Sequence, residues 1–436
     1  MNIAIVLGTR PEIIKMSPLI DMINKSDDKL ILIHTGQHYD NEMSKQFFTQ
    51  LNLPLPDYNI GIGSQTAIKQ ISIIIAELEE ILVKEEADIV LVQGDTNAVL
   101  AGALAANKLK IPVGHVEAGL RSFDKNMPEE TNRIIADSCS NLFFVPTPET
   151  AINLQNEGVN HKNIYVTGNT IVDACIRNLD IAIKKSEVKD IIKFDKYIAL
   201  TLHRAENVDD FGRLEQIVNS LVNIDYNIVL PLHPHTKKSL SEAGLYDKII
   251  ECDHIQITKP LSYLDFLYLL SQSSMILTDS GGVQEEAITL NIPCVTLRYN
   301  TERPETITAG GNILAGTNQD EIENNINNIL NNKDVYDKMT AAENPYGDGT
   351  SSEFIYDIIR KTYEDDSVRI KSTSAITDFE GYYLENITDD ITVSDFESMR
   401  EHHIIEQIFN DGKPEYICDD TPLKGKAVVV KNFKKM

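Results

Sequence analysis

Short, nearly continuous apolar runs alternate with amphipathic stretches along this chain, and the alternation starts twice. Ile3 to Leu7, Leu30 to His34, Ile89 to Val92, Val113 to His115 and Leu142 to Val145 read as strands. Pro11 to Ile23, Gln65 to Lys84 and Asn97 to Lys108 read as helices. Strands that are apolar throughout are buried on both faces, which implies a parallel sheet covered by helices on each side. The series then restarts with strands at Tyr197 to Thr201, Asn227 to Leu230, Ile255 to Ile257, Met275 to Leu277 and Cys294 to Leu297. Helices fall between them, as at Asp265 to Leu270 and Gly282 to Leu290. The pattern therefore predicts two doubly wound α/β domains, residues 1–170 and 171–364, joined near Gly168 to Ser186. The helix Ser352 to Tyr363 is expected to close the second. Residues 365–436, rich in Ser, Thr, Asp and Glu and ending in Lys, form an appended segment. Open parallel sheets bind ligands beyond the carboxyl ends of their strands, so two such domains are expected to face one cleft.

At 436 residues the chain is too long for one ordinary core. Its 40 basic against 66 acidic residues give a net charge of −26. That excludes sequence-independent nucleic-acid binding and docking on anionic membranes, both of which need a basic face. An anionic ligand must then meet a local cluster of Arg and His. Five scattered cysteines without a CxxC pair read as reduced thiols. With no signal peptide after MNIAIVLGTRPE and no apolar run of about 20 residues, the expected location is the cytoplasm.

Most of the notable residues stand where a strand ends and a helix begins. Gly8-Thr9-Arg10-Pro11-Glu12 places Arg10 at a helix N-terminus, where anions are favoured; it also reads as a simple turn. Asp279-Ser280-Gly281-Gly282 follows a strand and opens a helix. Its paired glycines let backbone N–H groups approach a diphosphate, and Ser280 adds a hydroxyl donor. Glu286, one turn on, has the reach for ribose hydroxyls, or is a plain helix-surface carboxylate. Asp95 follows Gly94, Glu117 stands in His115-Val116-Glu117-Ala118-Gly119, and Glu129-Glu130 opens a helix. Carboxylates converging from three loops raise one another's pKa and suit proton transfer near neutrality. The glutamate pair also suits a helix N-terminus by charge alone. The second half supplies His203-Arg204, His233-Pro234-His235 and Thr301-Glu302-Arg303 at strand ends. Three histidines spread over two loops lack the spacing of a zinc site, so no metal is expected. No GxGxxG follows the first strand, so no NAD is expected either.

Taken in order, LGTRPEIIKM (7–16), HTGQHYD (34–40), VQGDTNA (92–98), GHVEAGLRS (114–122), PEETNR (128–133), VTGNTIVDA (166–174), TLHRAEN (201–207), LTDSGGVQEEA (277–287), TERPETI (301–307) and NPYGDG (344–349) resemble the non-hydrolysing UDP-N-acetylglucosamine 2-epimerase family. The resemblance spans residues 1 to about 363. It implies two Rossmann-like domains similar to GT-B glycosyltransferases, with a C-terminal extension beyond them, and a homodimer. It also implies chemistry without a redox cofactor: UDP leaves C1 as the C2 proton is lost, giving a glycal, and UDP returns after protonation on the opposite face. By motif position Asp95, Glu117, Glu129 and His203 match the catalytic set. Arg10, His203, Ser280, Gly281, Glu286 and Arg303 match the UDP contacts, with Phe266 beside the uracil. Lys15, His233 and Gly282 complete the expected binding residues. Gln37 and His38 in the second block, with LHPHTKK (232–238), resemble an archaeal and diacetamido-sugar branch, whereas TERPE follows the N-acetylglucosamine enzymes.

Four activities fit these motifs. They are epimerisation of UDP-N-acetylglucosamine, the same reaction on a UDP-2,3-diacetamido sugar, glycosyl transfer on a GT-B scaffold, and the hydrolysing epimerisation, whose first loop differs from GTRPE. A nucleotide-sugar sensor would leave the convergent carboxylates without a role.

Overall fold

The computed structural model describes residues 1–36, 41–365, 379–387, 389–399, 403–410 and 413–433; Gln37 and His38 lie outside them. The chain divides into two units, Met1–Thr170 with Thr350–Met436, and Ile171–Gly349.

The first unit is built on a parallel sheet of seven strands. These are β1 (Asn2–Leu7), β2 (Lys29–His34), β3 (Tyr58–Asn59), β4 (Ile89–Gln93), β5 (Val113–Val116), β6 (Leu142–Val145) and β7 (Ile164–Val166). Their spatial order is β3-β2-β1-β4-β5-β6-β7. The apolar run Ile3–Leu7 takes the central position and is fully buried, as a strand covered on both faces must be. The helix Asn97–Lys108 is rich in small residues because it lies close over the sheet. A Cβ added at Gly102 would come within 2.9 Å of Val92 Cγ1. The strand order reverses between β1 and β4, and this switch point lies at the carboxyl ends that carry Arg10 and Asp95.

The second unit repeats the plan with six parallel strands. These are β8 (Ile198–Thr201), β9 (Ile228–Pro231), β10 (Ile255–Thr258), β11 (Met275–Thr278), β12 (Cys294–Thr296) and β13 (Asn312–Leu314), ordered β10-β9-β8-β11-β12-β13. Here the switch point lies between β8 and β11, whose ends lead into His203 and into Asp279-Ser280-Gly281. The core of this unit is aliphatic, with Ile198, Leu200, Leu230, Leu277 and Val295 among its buried strand residues.

The helix Ser351–Glu364, expected to close the second unit, groups with the first. Its amphipathic face docks beside the first helix, where Tyr356 donates a hydrogen bond to Asp28 (2.7 Å) and Tyr363 to Asp88 (3.3 Å). The appended segment folds into an antiparallel sheet of β14 (Phe379–Asn386), β15 (His403–Asn410), β16 (Lys413–Glu415) and β17 (Ala427–Phe433), in the order β14-β17-β15-β16. It has its own core, in which Val393 and Phe396 of a short helix cover Ile405, Ile408, Val428 and Val430. It contacts the rest of the first unit through Gln155, which donates to the carbonyl of Ile417 (3.4 Å), and through a Lys162–Glu397 ion pair (2.9 Å). Among the described residues no helix is long and apolar enough to cross a membrane.

Candidate active site

In the first unit the turn after β1 is fixed by Glu12. This residue is buried in the first turn of the helix Arg10–Asn24, and its carboxylate accepts the N–H groups of Gly8 (3.0 Å) and Thr9 (2.5 Å). Its other oxygen meets the Thr96 hydroxyl (2.8 Å), so the Arg10 turn and the Asp95 loop are tied together. Burial pushes the Glu12 carboxyl up to about 7, against the pull of those hydrogen bonds. Arg10 remains exposed, with its guanidinium 5.5 Å from the centroid of the Phe47 ring.

Asp95 and Glu117 each have a cation. Arg133 reaches Asp95 at 2.5 Å, and Asn132 donates to the Asp95 carbonyl (2.9 Å). The Lys15 ammonium, expected to bind substrate, lies 2.7 and 2.8 Å from the two oxygens of Glu117. Gln93 and Asn169 (3.3 Å) also donate to Glu117. Neither amide was singled out in the sequence; both stand inside matched blocks, and Gln93 is two residues before Asp95. The Glu117 backbone is left-handed, with φ of 70°, a conformation that costs a non-glycine residue energy and that concentrates at functional sites.

The tandem Glu129-Glu130 splits into two roles. Glu129 is exposed at the start of the helix Pro128–Cys139. Glu130 is buried and accepts the N–H groups of Ser122 and Phe123 (both 2.9 Å) and Arg133 (2.9 Å). Burial alone would raise its carboxyl, but the Ser122 N–H and Arg133 outweigh it and hold it below its usual range. Arg133 thus bridges Glu130 and Asp95, which leaves Glu129 as the solvent-facing member of the pair.

In the second unit the fully buried Asp279 organises the loop after β8. It accepts the backbone N–H groups of His203 (3.0 Å) and Arg204 (2.8 Å). Its Oδ1 lies 3.4 Å from His203 Nδ1. Burial lowers the His203 pKa; Asp279 opposes that shift, while Arg204 and His233 add to it. The His203 and His233 rings stand 6.5 Å apart, whereas His235 turns to Asp209 (2.5 Å). Arg298, which the motifs did not reveal, reaches Glu206 (2.8 Å) and grips both oxygens of Glu302 (2.7 and 3.0 Å). It holds the Glu302 carboxyl down at about 2 and joins the His203 loop to the Arg303 loop. Arg303 pairs with the buried Glu285 (2.5 Å).

Ser280 holds the N-cap position of the helix Gly281–Thr289, and its side chain makes no capping hydrogen bond. Neither Gly281 nor Gly282 is among the residues of positive φ, so the backbone alone does not require glycine there. A Cβ on Gly282 would meet no atom within 4 Å, which leaves the helix N-terminus open to a ligand. Glu286 is buried on the same helix. Beside it, burial first and then the Glu286 charge push up the Cys175 thiol and the Tyr263 phenol. Phe266 packs half-buried against the cluster that contains Val283 and Ala287.

Residues 21–360 match the family model described as UDP-N-acetylglucosamine 2-epimerase. The chain belongs to that family. Among its relatives, the UDP-N-acetylglucosamine 2-epimerase of Methanococcus maripaludis is 50% identical over 366 residues, covering 82% of this chain and 98% of that protein. The UDP-2,3-diacetamido-2,3-dideoxy-D-glucuronate 2-epimerase of Pseudomonas aeruginosa is 41% identical, covering 83% of this chain and 100% of that one. The crystal structure of the Methanocaldococcus jannaschii UDP-GlcNAc 2-epimerase with UDP-GlcNAc and UDP is 50% identical, with a TM-score of 0.71. It covers 83% of this chain and 100% of its own. This epimerase-family chain thus has the expected fold class, two Rossmann-like units of the GT-B-like kind, with a C-terminal antiparallel extension that begins after the family match stops at residue 360.

Proposed function

We propose that this chain interconverts UDP-N-acetylglucosamine and UDP-N-acetylmannosamine by elimination and re-addition of UDP. In this reading the second unit holds UDP. The open N-terminus of the helix Gly281–Thr289 with Ser280 receives the diphosphate, Glu286 the ribose, Phe266 lies beside the uracil, and His203, His233 and Arg303 add positive charge. By motif position Arg10 also counts among the UDP contacts. Asp95, Glu117, Glu129 and His203 supply the acid and base groups. The C1–O bond to UDP breaks as a base takes the C2 proton, and the electron pair of the C–H bond becomes the C1–C2 double bond of the glycal. Protonation at C2 from the other face and attack of the UDP oxygen at C1 complete the epimerisation. Departure of UDP makes C1 cationic and so acidifies C2–H, and no redox cofactor takes part.

The observation that carries this reading is the arrangement of Asp95 and Glu117. Two carboxylates follow the adjacent strands β4 and β5, one strand over from the switch point, each beside its own cation, and one sits on a strained backbone. A sensor has no use for such a pair, and a glycosyltransferase needs no exchange of the C2 proton. The N-acetylglucosamine substrate, rather than a diacetamido sugar, is supported by the higher identity to the enzymes of that name, 50% against 41%. We also take the enzyme to act in the cytoplasm as a homodimer, which light scattering tests. The decisive experiment is NMR of UDP-N-acetylglucosamine incubated with the protein in D2O. Deuterium at C2 and appearance of the manno epimer are expected without any acceptor. Transfer to an acceptor with C2–H retained would identify a glycosyltransferase, and free N-acetylmannosamine the hydrolysing reaction.

A further inference from the structure

His115 lies within β5 and its ring is completely buried. Nδ1 is 2.6 Å from Asp137 Oδ1, and Nε2 is 2.8 Å from the carbonyl oxygen of Gly94. A carbonyl can only accept. Asp137 is ionised as well, because its second oxygen receives the Arg121 guanidinium (2.7 Å) and the N–H of Gly119 (3.3 Å). A neutral imidazole carries one N–H, and two acceptors require two. The ring is therefore an imidazolium inside the protein. Burial opposes that charge, but Asp137 outweighs it and raises the pKa.

The contacts of this ring lead to both candidate acid–base residues. Gly94 carries Asp95, and its backbone at φ of 83° leaves the carbonyl aimed at the ring. Gly119 closes the turn that carries Glu117. We propose that His115, in its protonated form, is a positioning residue that sets the spacing of Asp95 and Glu117, with Asp137 as its counter-ion. The proposal rests on the epimerase reading above. The charged neighbours on each packed element are consistent with it. Asp137 lies on the helix Pro128–Cys139, and Arg121 on the loop after β5 is paired in turn with Glu157 (2.6 Å) at the end of the helix Pro148–Asn156. Asp95 with Arg133, and Glu117 with Lys15, complete the surroundings. Loss of the Nε2 proton would set a lone pair against the Gly94 carbonyl at 2.8 Å and push the Asp95 loop away.

The test uses the full-length enzyme with His115→Leu and His115→Gln. Leucine offers the Gly94 carbonyl no donor and leaves the Asp95 loop unpinned, so kcat should fall about 100-fold, as expected for a displaced acid–base group. KM for UDP-N-acetylglucosamine and the Kd of UDP should stay within about twofold, since no UDP contact changes. Glutamine restores a donor toward Gly94 and should recover at least about tenfold of that loss. An unchanged kcat in folded His115→Leu would overturn the proposal. Where that variant fails to fold, 15N NMR of histidine-labelled wild type decides. A signal lost in His115→Gln with both ring nitrogens protonated at pH 8 supports the proposal, and a neutral ring overturns it. If the wild type does not epimerise UDP-N-acetylglucosamine, the functional reading fails while the NMR still judges the ring.

Discussion

Replacing Glu12 by glutamine should change how stability depends on pH. Glu12 is buried, and its carboxyl titrates at about 7 in the folded protein against an ordinary 4.5. Below pH 4.5 the carboxyl is protonated in both states and burying it has no ionic cost. Between 4.5 and 7 the unfolded chain releases a proton that the folded chain retains, so stability falls as pH rises and levels off above 7. The difference of about 2.5 pH units corresponds to at most about 3 to 4 kcal/mol at 1.36 kcal/mol per unit. Glutamine can still accept from Gly8 and Thr9 and donate to the Thr96 hydroxyl, so the bridge survives while its titration is removed. Urea unfolding followed by far-UV circular dichroism, run at pH 4.5, 6 and 8 on both proteins, should show Glu12→Gln gaining on the wild type with pH. The gain should concentrate between 5 and 7.5. A constant difference would mean that the three donors around Glu12 keep it ionised in the fold, and the burial argument would be refuted.

Asp95→Asn and Glu117→Gln should bind UDP nearly normally by calorimetry yet turn over at least ~100-fold more slowly, as acid–base groups do; loss of UDP binding instead would overturn the division of labour between the units. Gly282→Val should leave the melting curve in place, within about 0.5 kcal/mol, because its Cβ meets no protein atom. The same change should weaken UDP at least about tenfold by obstructing the helix N-terminus, and unaltered UDP affinity would remove the diphosphate from that position. A chain truncated after Glu364 should keep its kcat but melt earlier, since Gln155 and Lys162 lose their partners. A folded truncation without activity would make the extension part of the site.

The two Rossmann-like units were legible because burial on both faces leaves no polar alternation, as in Ile3–Leu7. Strand-end motifs located the candidate site for the same reason, since the order of strands and helices sets which loops share an edge. Four things were not legible. Adjacent Glu129 and Glu130 are chemically equivalent in sequence, and only the helix direction shows that Glu130 caps the Ser122 turn. Arg298 and Glu12 act on partners far along the chain, as with Thr96, 84 positions from Glu12. The amphipathic period of Ser351–Glu364 announced a buried face without saying which unit would bury it. The strands Phe379–Asn386 and His403–Asn410 of the extension break the alternation of apolar and polar residues, with a register shift in each, and were not placed.

That last helix also sets an order of events during synthesis. The second unit is one uninterrupted stretch, Ile171–Gly349, inserted into the first. It can complete its core as soon as it has emerged, whereas the first cannot. Tyr356 meets Asp28 across 328 positions of sequence, and at ribosomal rates of about 5–20 residues per second that interval is roughly 15–65 s. For that time the groove on the first helix that receives Ser351–Glu364 stands uncovered. The usual N-terminal-first sequence is thereby inverted: the earliest residues translated are finished after the second unit, and the first unit relies on its seven-stranded sheet until the return crossing is made.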